Sequence, residues 1–187
     1  MNENESFILK LKKCYLAADM KMQERFKRSL PFAEAVFDRW ERAEMLGFGK
    51  GSSIYNSSLV FGAVKVGENV WIGPFTILDA HAETIEIGDC CSISSGVHIY
   101  THDSVIHALS GRKKPLQSSP VSIGECSYIG AQSIIGAGVS IGSHCVVGAN
   151  SFVNRDVPSN TIVAGSPARK IGVVEFDGED ITLKYHE

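Results

Sequence analysis

Between Val121 and Pro158 the hydrophobic positions recur every six residues, with Ile123, Ile129, Ile135, Ile141, Val147 and Val153 each opening a hexad. Glycine follows the first five openers, at Gly124, Gly130, Gly136, Gly142 and Gly148. A small or β-branched residue stands four places after each opener, at Ser127, Ser133, Val139, Cys145, Ser151 and Val157. A period of six fits neither a helix at 3.6 nor an alternating strand, so each unit is predicted to be a short strand plus a turn, with glycine freeing the bend.

Three such units make a triangular coil of about eighteen residues, and coils stack at roughly 4.8 Å, the ordinary spacing of paired strands. The openers then form an aliphatic ladder inside a prism, a parallel β-helix. The same register runs upstream through Ile54, Val60, Val66, Ile72 and Leu78, with Val70, Thr76 and Ala82 in the small slots, and resumes at Ile87, Ile93 and Ile99. Two places break it. The long step from Leu78 to Ile87 predicts a bulge around residues 81–85, and between Ile99 and Ile123 the chain leaves the prism through a loop at 103–120. Loops on rigid scaffolds are where chemistry concentrates.

Ahead of the prism the pattern is helical. Leu9, Leu11, Tyr15, Leu16 and Met20, mixed with lysines, predict a first helix without a sharp buried face. A second is predicted from Pro31 through Phe32, Val36, Trp40 and Ala43 to a stop at Gly47. Residues 159–171 read as a closing strand followed by a Gly-Ser-Pro turn, and the last stretch as a hairpin about Asp177-Gly178. The expected division is therefore a helical segment at 1–50, the β-helix with its loop at 51–172, and a tail at 173–187.

Composition narrows the function classes. A net charge of -3 over 187 residues argues against nucleic-acid binding, which needs concentrated positive charge. No apolar run is long enough to span a bilayer and the first residues are too polar for a signal peptide, so a cytoplasmic protein is expected. The basic run from Lys21 to Arg28 reads as a solvated helix face rather than a membrane patch. The five cysteines, odd in number and without CxxC spacing, read as reduced packing residues, and no metal site is expected.

Candidate chemistry begins with His102, which stands where the regular hexads end and the loop begins. An imidazole there is suited to take and return a proton near neutral pH. His81, three after Leu78 as His102 is three after Ile99, is expected at the same corner as an acceptor-site residue, with Asp79 and Trp71 as further acceptor candidates. Asp79, Glu83 or a backbone carbonyl is available to orient the imidazole. Arg155, Arg169 and Lys170 are either solvated charge or a clamp for a phosphorylated cofactor; beside them, small residues (Ala131, Gly136, Ala137, Gly148, Ala149) let a slender chain lie on the backbone.

The hexad run, the IYTHD before the loop and the closing VNRDVPSNTIVAGSPARKIG resemble the left-handed β-helix, hexapeptide-repeat acetyltransferases. With LPFAEAVFDRWERAEMLGFGKGSSIYNSSLVFG and VWIGPFTILDA they are most similar to polysaccharide-biosynthesis O-acetyltransferases related to galactoside and maltose acetyltransferase. The resemblance implies a mainly β, left-handed parallel β-helix, a homotrimer with sites between neighbouring prisms, and acetyl-CoA as co-substrate. It implies His102 as catalytic base, Ala131 beside the thioester, and Gly148, Ala149, Arg155 and Arg169 around the cofactor arm and phosphates. Galactoside acetyltransferase has Asn where Gly73 stands and Trp where Tyr128 stands, so its acceptor contacts do not carry over. The expected acceptor is a hydroxyl of a sugar or glycan precursor, with N-acetylation of an amino sugar or acetylation of an antibiotic as alternatives. Two rivals come from other classes: a γ-carbonic-anhydrase-like metal hydratase, for which His102 and His107 have the H-x4-H spacing with His81 upstream, and a purely structural β-helix subunit.

Overall fold

The structure is a computed structural model that describes residues 3–186; Met1, Asn2 and Glu187, the outermost residues of the expected end segments, lie outside the described residues. Three helices come first: α1 (Glu3–Phe26), α2 (Phe32–Val36) and α3 (Arg39–Met45). The single helix expected from Pro31 to Gly47 is thus two. Phe37 turns extended, and Asp38 caps α3 by accepting from the Trp40 and Glu41 N–H groups at 2.7 and 3.2 Å. A carboxylate that satisfies the free donors of a new helix start competes with continuing the old helix.

The prism follows as β1 (Ser53–Ile54), β2 (Leu59–Val66), β3 (Trp71–Ile72), β4 (Ile77–Ile87), β5 (Ser92–Ile93) and β6 (His98–Tyr100). The excursion carries β7 (His102–Asp103), α4 (Val105–Leu109) and β8 (Gln117–Ser118). The coils resume with β9 (Val121–Ile123), β10 (Tyr128–Ile129), β11 (Ile134–Ile135), β12 (Ser140–Ile141), β13 (Val146–Val147) and β14 (Phe152–Val153), and close with β15 (Thr161–Gly165), β16 (Ala168–Asp177) and β17 (Asp180–Tyr185).

Parallel pairing at six-residue steps builds three faces. Face 1 stacks Ile54, Ile72, Ile93, Ile129, Val147 and Val163; face 2 stacks Val60, Leu78, Ile99, Ile135 and Val153; face 3 stacks Val66, Ile87, Ile123, Ile141 and Val157. All but Val60 are buried, and they form one apolar core along the prism axis. Val157 was expected in a small slot; it sits in the opener column instead, because the last coil is shorter by two residues. Ala82 likewise is exposed, and Ile85 fills its slot. The pairing of β2 with β4 jumps from Gly62–Ala80 to Val64–Ile85, which pushes 81–84 out as the predicted bulge.

The hexad glycines do a different job from the one expected. None of Gly124, Gly130, Gly136, Gly142 or Gly148 has positive φ; the left-handed residue lies two places later, at Gln132, His144 and Asn150 among others. What the glycine permits is close stacking, since a Cβ on Gly130 would stand 2.5 Å from the Ala149 nitrogen. The serines of the small slots knit the coils at the corners. Ser133 Oγ donates to the Gly148 carbonyl at 2.9 Å and accepts from the Ser151 N–H at 3.2 Å, and Ser127 does the same with Gly142 and Cys145.

Both ends of the prism are covered. At the start, Ala43 and Phe48 join the core, Arg42 donates to the Tyr55 and Ser58 carbonyls, and the Glu34 carboxylate accepts from the Asn56 and Ser57 N–H groups. At the far end β16 and β17 extend face 1 as an antiparallel hairpin, turning at Gly178 with φ 61°.

Candidate active site

His102 is held at the edge between faces 2 and 3. Ile99 anchors its strand in the core, Thr101 is fully buried and its N–H and hydroxyl both donate to the Asp79 carbonyl at 3.1 and 2.9 Å. His102 itself pairs antiparallel with Ser118, so the returning limb of the loop is fastened beside it. The ring is half-buried, and its Nδ1 is buried with no hydrogen-bond partner among the described residues. An unsatisfied buried polar atom costs about 1–3 kcal/mol.

The orienting groups expected for His102 do not engage it within the chain. The Asp79 carboxylate accepts from the His81 N–H at 3.1 Å, and the Glu83 N–H donates to the Thr101 hydroxyl at 3.3 Å. The second bond ties the 81–84 bulge to the coil that carries His102, and the registers Leu78–Ile99 and Asp79–Tyr100 bring His81 to the same corner, where it is exposed. The Tyr100 phenol beside it is pushed up, first by burial and then by the Asp79 charge.

Trp71 is elsewhere. It projects from face 1, edge-on to Tyr55 with ring centroids 6.3 Å apart. Arg39 in turn donates to the Tyr55 hydroxyl at 3.0 Å and lies over Trp40, so Trp71 belongs to the junction of prism and helices and the chain does not bring it to His102. No sequence signal marked Tyr55 or Arg39, because their contact depends on how α3 docks.

The candidate cofactor residues gather at the opposite edge of face 2 and at the far end. Ala131 and Ala149 stack in consecutive coils, with the Asn150 N–H donating to the Ala131 carbonyl at 2.9 Å. Gly148 lies under Ala164, where an added Cβ would come 2.8 Å from the alanine methyl, and Ala164 pairs with Arg169. Arg155, Arg169 and Lys170 are exposed, and among the described residues none of the three forms an ion pair. His107, the second histidine of the hydratase spacing, is held inside the loop, its Nδ1–H donating to the Lys114 carbonyl at 2.6 Å. Among the described residues no three His, Cys, Asp or Glu side chains assemble as metal ligands, and no helix is long and apolar enough to cross a membrane.

Residues 120–155 match the family model described as bacterial transferase hexapeptide (six repeats). A maltose O-acetyltransferase from Clostridium difficile 630 shares the fold with a TM-score of 0.60 and 30% identity, over 89% of this chain and 89% of that one. The chain belongs to the hexapeptide-repeat transferases. Its fold is that family's left-handed parallel β-helix. The chain is also 32% identical over 127 residues to galactoside O-acetyltransferase of Escherichia coli (strain K12), a match covering 57% of this chain and 62% of the relative's length. A point variant of AntD, an N-acyltransferase from Bacillus cereus, in complex with dTDP and coenzyme A, is similar with a TM-score of 0.60 and 27% identity, over 71% of this chain and 88% of that one.

Proposed function

We propose that this member of the hexapeptide-repeat transferases moves an acetyl group from acetyl-CoA to a hydroxyl of a sugar or glycan precursor, in the cytoplasm and as a homotrimer, with His102 as general base. The observation that carries the reading is the half-buried His102 ring at the mouth of the loop, its Nδ1 unpartnered. The imidazole takes the proton of the acceptor hydroxyl, the oxygen attacks the thioester carbonyl, and the same proton leaves with the CoA thiolate. No acyl-enzyme forms. His81 and Asp79 serve the acceptor side of this corner.

Acetyl-CoA lies along the small-residue edge of Ala131, Gly148 and Ala149, with Arg169, Lys170 and Arg155 on its phosphates. The tight Gly148–Ala164 stack and the unpaired cations suit a slender anionic chain. Within one chain this edge and His102 bound face 2 on opposite sides. A site shared by two neighbouring prisms joins them, which is the physical argument for the trimer. The likeness to an N-acyltransferase supports a second reading, transfer to the amine of an amino sugar.

Transfer assays with acetyl-CoA and paired hydroxyl and amino sugars test both. His102→Ala is expected to lower kcat by roughly 10²–10⁴-fold, about 3–5 kcal/mol, and to leave acetyl-CoA binding intact. Near-parental transfer by the variant removes His102 as the base, and acceptance of amines alone decides for the second reading.

A further inference from the structure

The third edge of the prism, between faces 3 and 1, carries a column of left-handed residues that the proposed reaction does not use. From coil to coil it runs Asn69, Cys90, Cys126, His144 and Asn160, with φ between 54° and 59°. Asparagine tolerates this conformation, whereas cysteine seldom adopts it. Yet two cysteines occupy consecutive steps of the column. The Cys126 N–H donates to the Asp89 carbonyl at 2.8 Å, one residue before Cys90, which fixes the two as stacked neighbours. Both thiols are exposed, and Cys90 is among the groups that perturb the Cys126 thiol. All five cysteines were expected to be packing residues; only Cys91 and Cys145 are buried.

The geometry points to Cys90 and Cys126 as a reversible dithiol–disulfide site, oxidised by exchange with a low-molecular-weight disulfide. Residues stacked at the strand spacing of about 4.8 Å fall inside the roughly 4.4–6.8 Å window of Cα separations that a disulfide spans. Equal φ values turn the two Cα–Cβ bonds in the same sense and leave the Cβ atoms about one strand spacing apart, so a shift of a few tenths of an ångström brings them within disulfide reach. One thiolate attacks the reagent disulfide, forming a mixed disulfide and releasing one reagent thiol. The second protein thiol then attacks the protein sulfur of that mixed bond and releases the other, so two protein S–H groups become one S–S as the reagent disulfide becomes two thiols. Burial, then the neighbouring Cys90, Glu125 and Asp89, push the Cys126 thiol up, which lowers its thiolate fraction and slows its attack.

The bond would join two steps of the column that are consecutive in space but enclose the whole loop-bearing coil, including His102 and residues 103–120. It therefore fastens the start of that coil to its end, where the next coil begins. A crosslink closing a loop of this length restricts the unfolded chain and raises Tm by roughly 5–10 °C.

The inference is independent of the acyl-transfer reading, and its test needs no substrate. The full chain carrying Cys14→Ser, which removes the other exposed thiol, is incubated with oxidised glutathione and its intact mass, free thiols and Tm are read. Expected are a mass lower by two hydrogens with no glutathione retained, a non-reduced digest in which the Cys90 and Cys126 peptides are joined, the rise in Tm, and reversal of all three by dithiothreitol. Adding Cys126→Asn, a residue suited to the same φ, should leave one stable glutathione adduct on Cys90. Retention of glutathione on both cysteines of the Cys14→Ser protein, or survival of both thiols unreacted, overturns the proposal.

Discussion

At the scale of single residues, the hexad is a division of labour among neighbours. The opener fills the axis, the glycine that often follows lets the coils stack closely, the left-handed residue turns the corner, and the small slot seals it. Cys91 occupies such a slot at 1% exposure, and burial pushes its thiol up to about 11 against a backbone hydrogen bond from Ser127 that pulls the other way. A group whose folded pKa is raised keeps its stabilising contribution below the unfolded value of 9.0 and loses it as pH rises towards the folded value. Urea unfolding at pH 8 and pH 11 should therefore show the parent losing about 2–3 kcal/mol more than Cys91→Ala over that range. An identical loss in both proteins would show that the Cys91 thiol is not the group responsible. The small slots were legible in the sequence because their chemistry repeats; the left-handed positions were not, because Gln132, His144, Asn150 and Cys126 share a backbone angle and no side-chain property.

At the scale of the element, identical sequence signatures conceal different constraints. Gly130 and Gly136 both follow an isoleucine opener, yet a Cβ on Gly130 would meet the Ala149 nitrogen at 2.5 Å and the Val147 carbonyl at 2.6 Å, whereas on Gly136 the nearest atom is 3.5 Å away. Gly130→Ala is expected to destabilise by about 1–3 kcal/mol because backbone has to shift. Gly136→Ala, with an ordinary φ and open space, should change stability by less than about 1 kcal/mol and in the favourable direction. Denaturation midpoints of the two variants check this; an unchanged midpoint for Gly130→Ala would mean that the coils stack less tightly at Gly130 than the geometry requires. The helical segment shows the opposite case, in which one continuous apolar period concealed the break at Asp38. Its carboxylate rather than its hydropathy ends one helix and starts the next.

At the scale of the molecule, the surface that the proposed trimer would cover is face 2 with the loop beside it. Leu59, Phe61, Ile134 and Phe152 project from that face, Ile134 and Phe152 being 39% and 37% exposed, and Leu109 on α4 is 80% exposed. Face 3 presents Lys65, Glu86, Ser122 and Ser140 instead. Trp71 and Tyr128 belong to face 1, and Tyr100 lies at the far edge of face 2. Light scattering is expected to give three times the chain mass, and Ile134→Glu to give a folded monomer with acetyl transfer lost, since the proposed site draws on both edges of two prisms. A parent protein that scatters as a monomer at micromolar concentration would remove the shared-site model.

The sequence alone determined the prism, because a six-residue repeat has only one way to bury its openers, and it located both irregularities, because an insertion into a solenoid has nowhere to go but outward. It also singled out His102, which stands at the boundary between repeat and loop. Three things were left to the tertiary structure. Which corner each slot turns follows from the backbone angle and not from residue type. That Trp71 joins Tyr55 and Arg39 rather than His102 follows from how α3 docks. That Cys90 stacks beside Cys126, 36 positions on, follows from the loop leaving and rejoining the same corner, a juxtaposition that no spacing along the chain encodes.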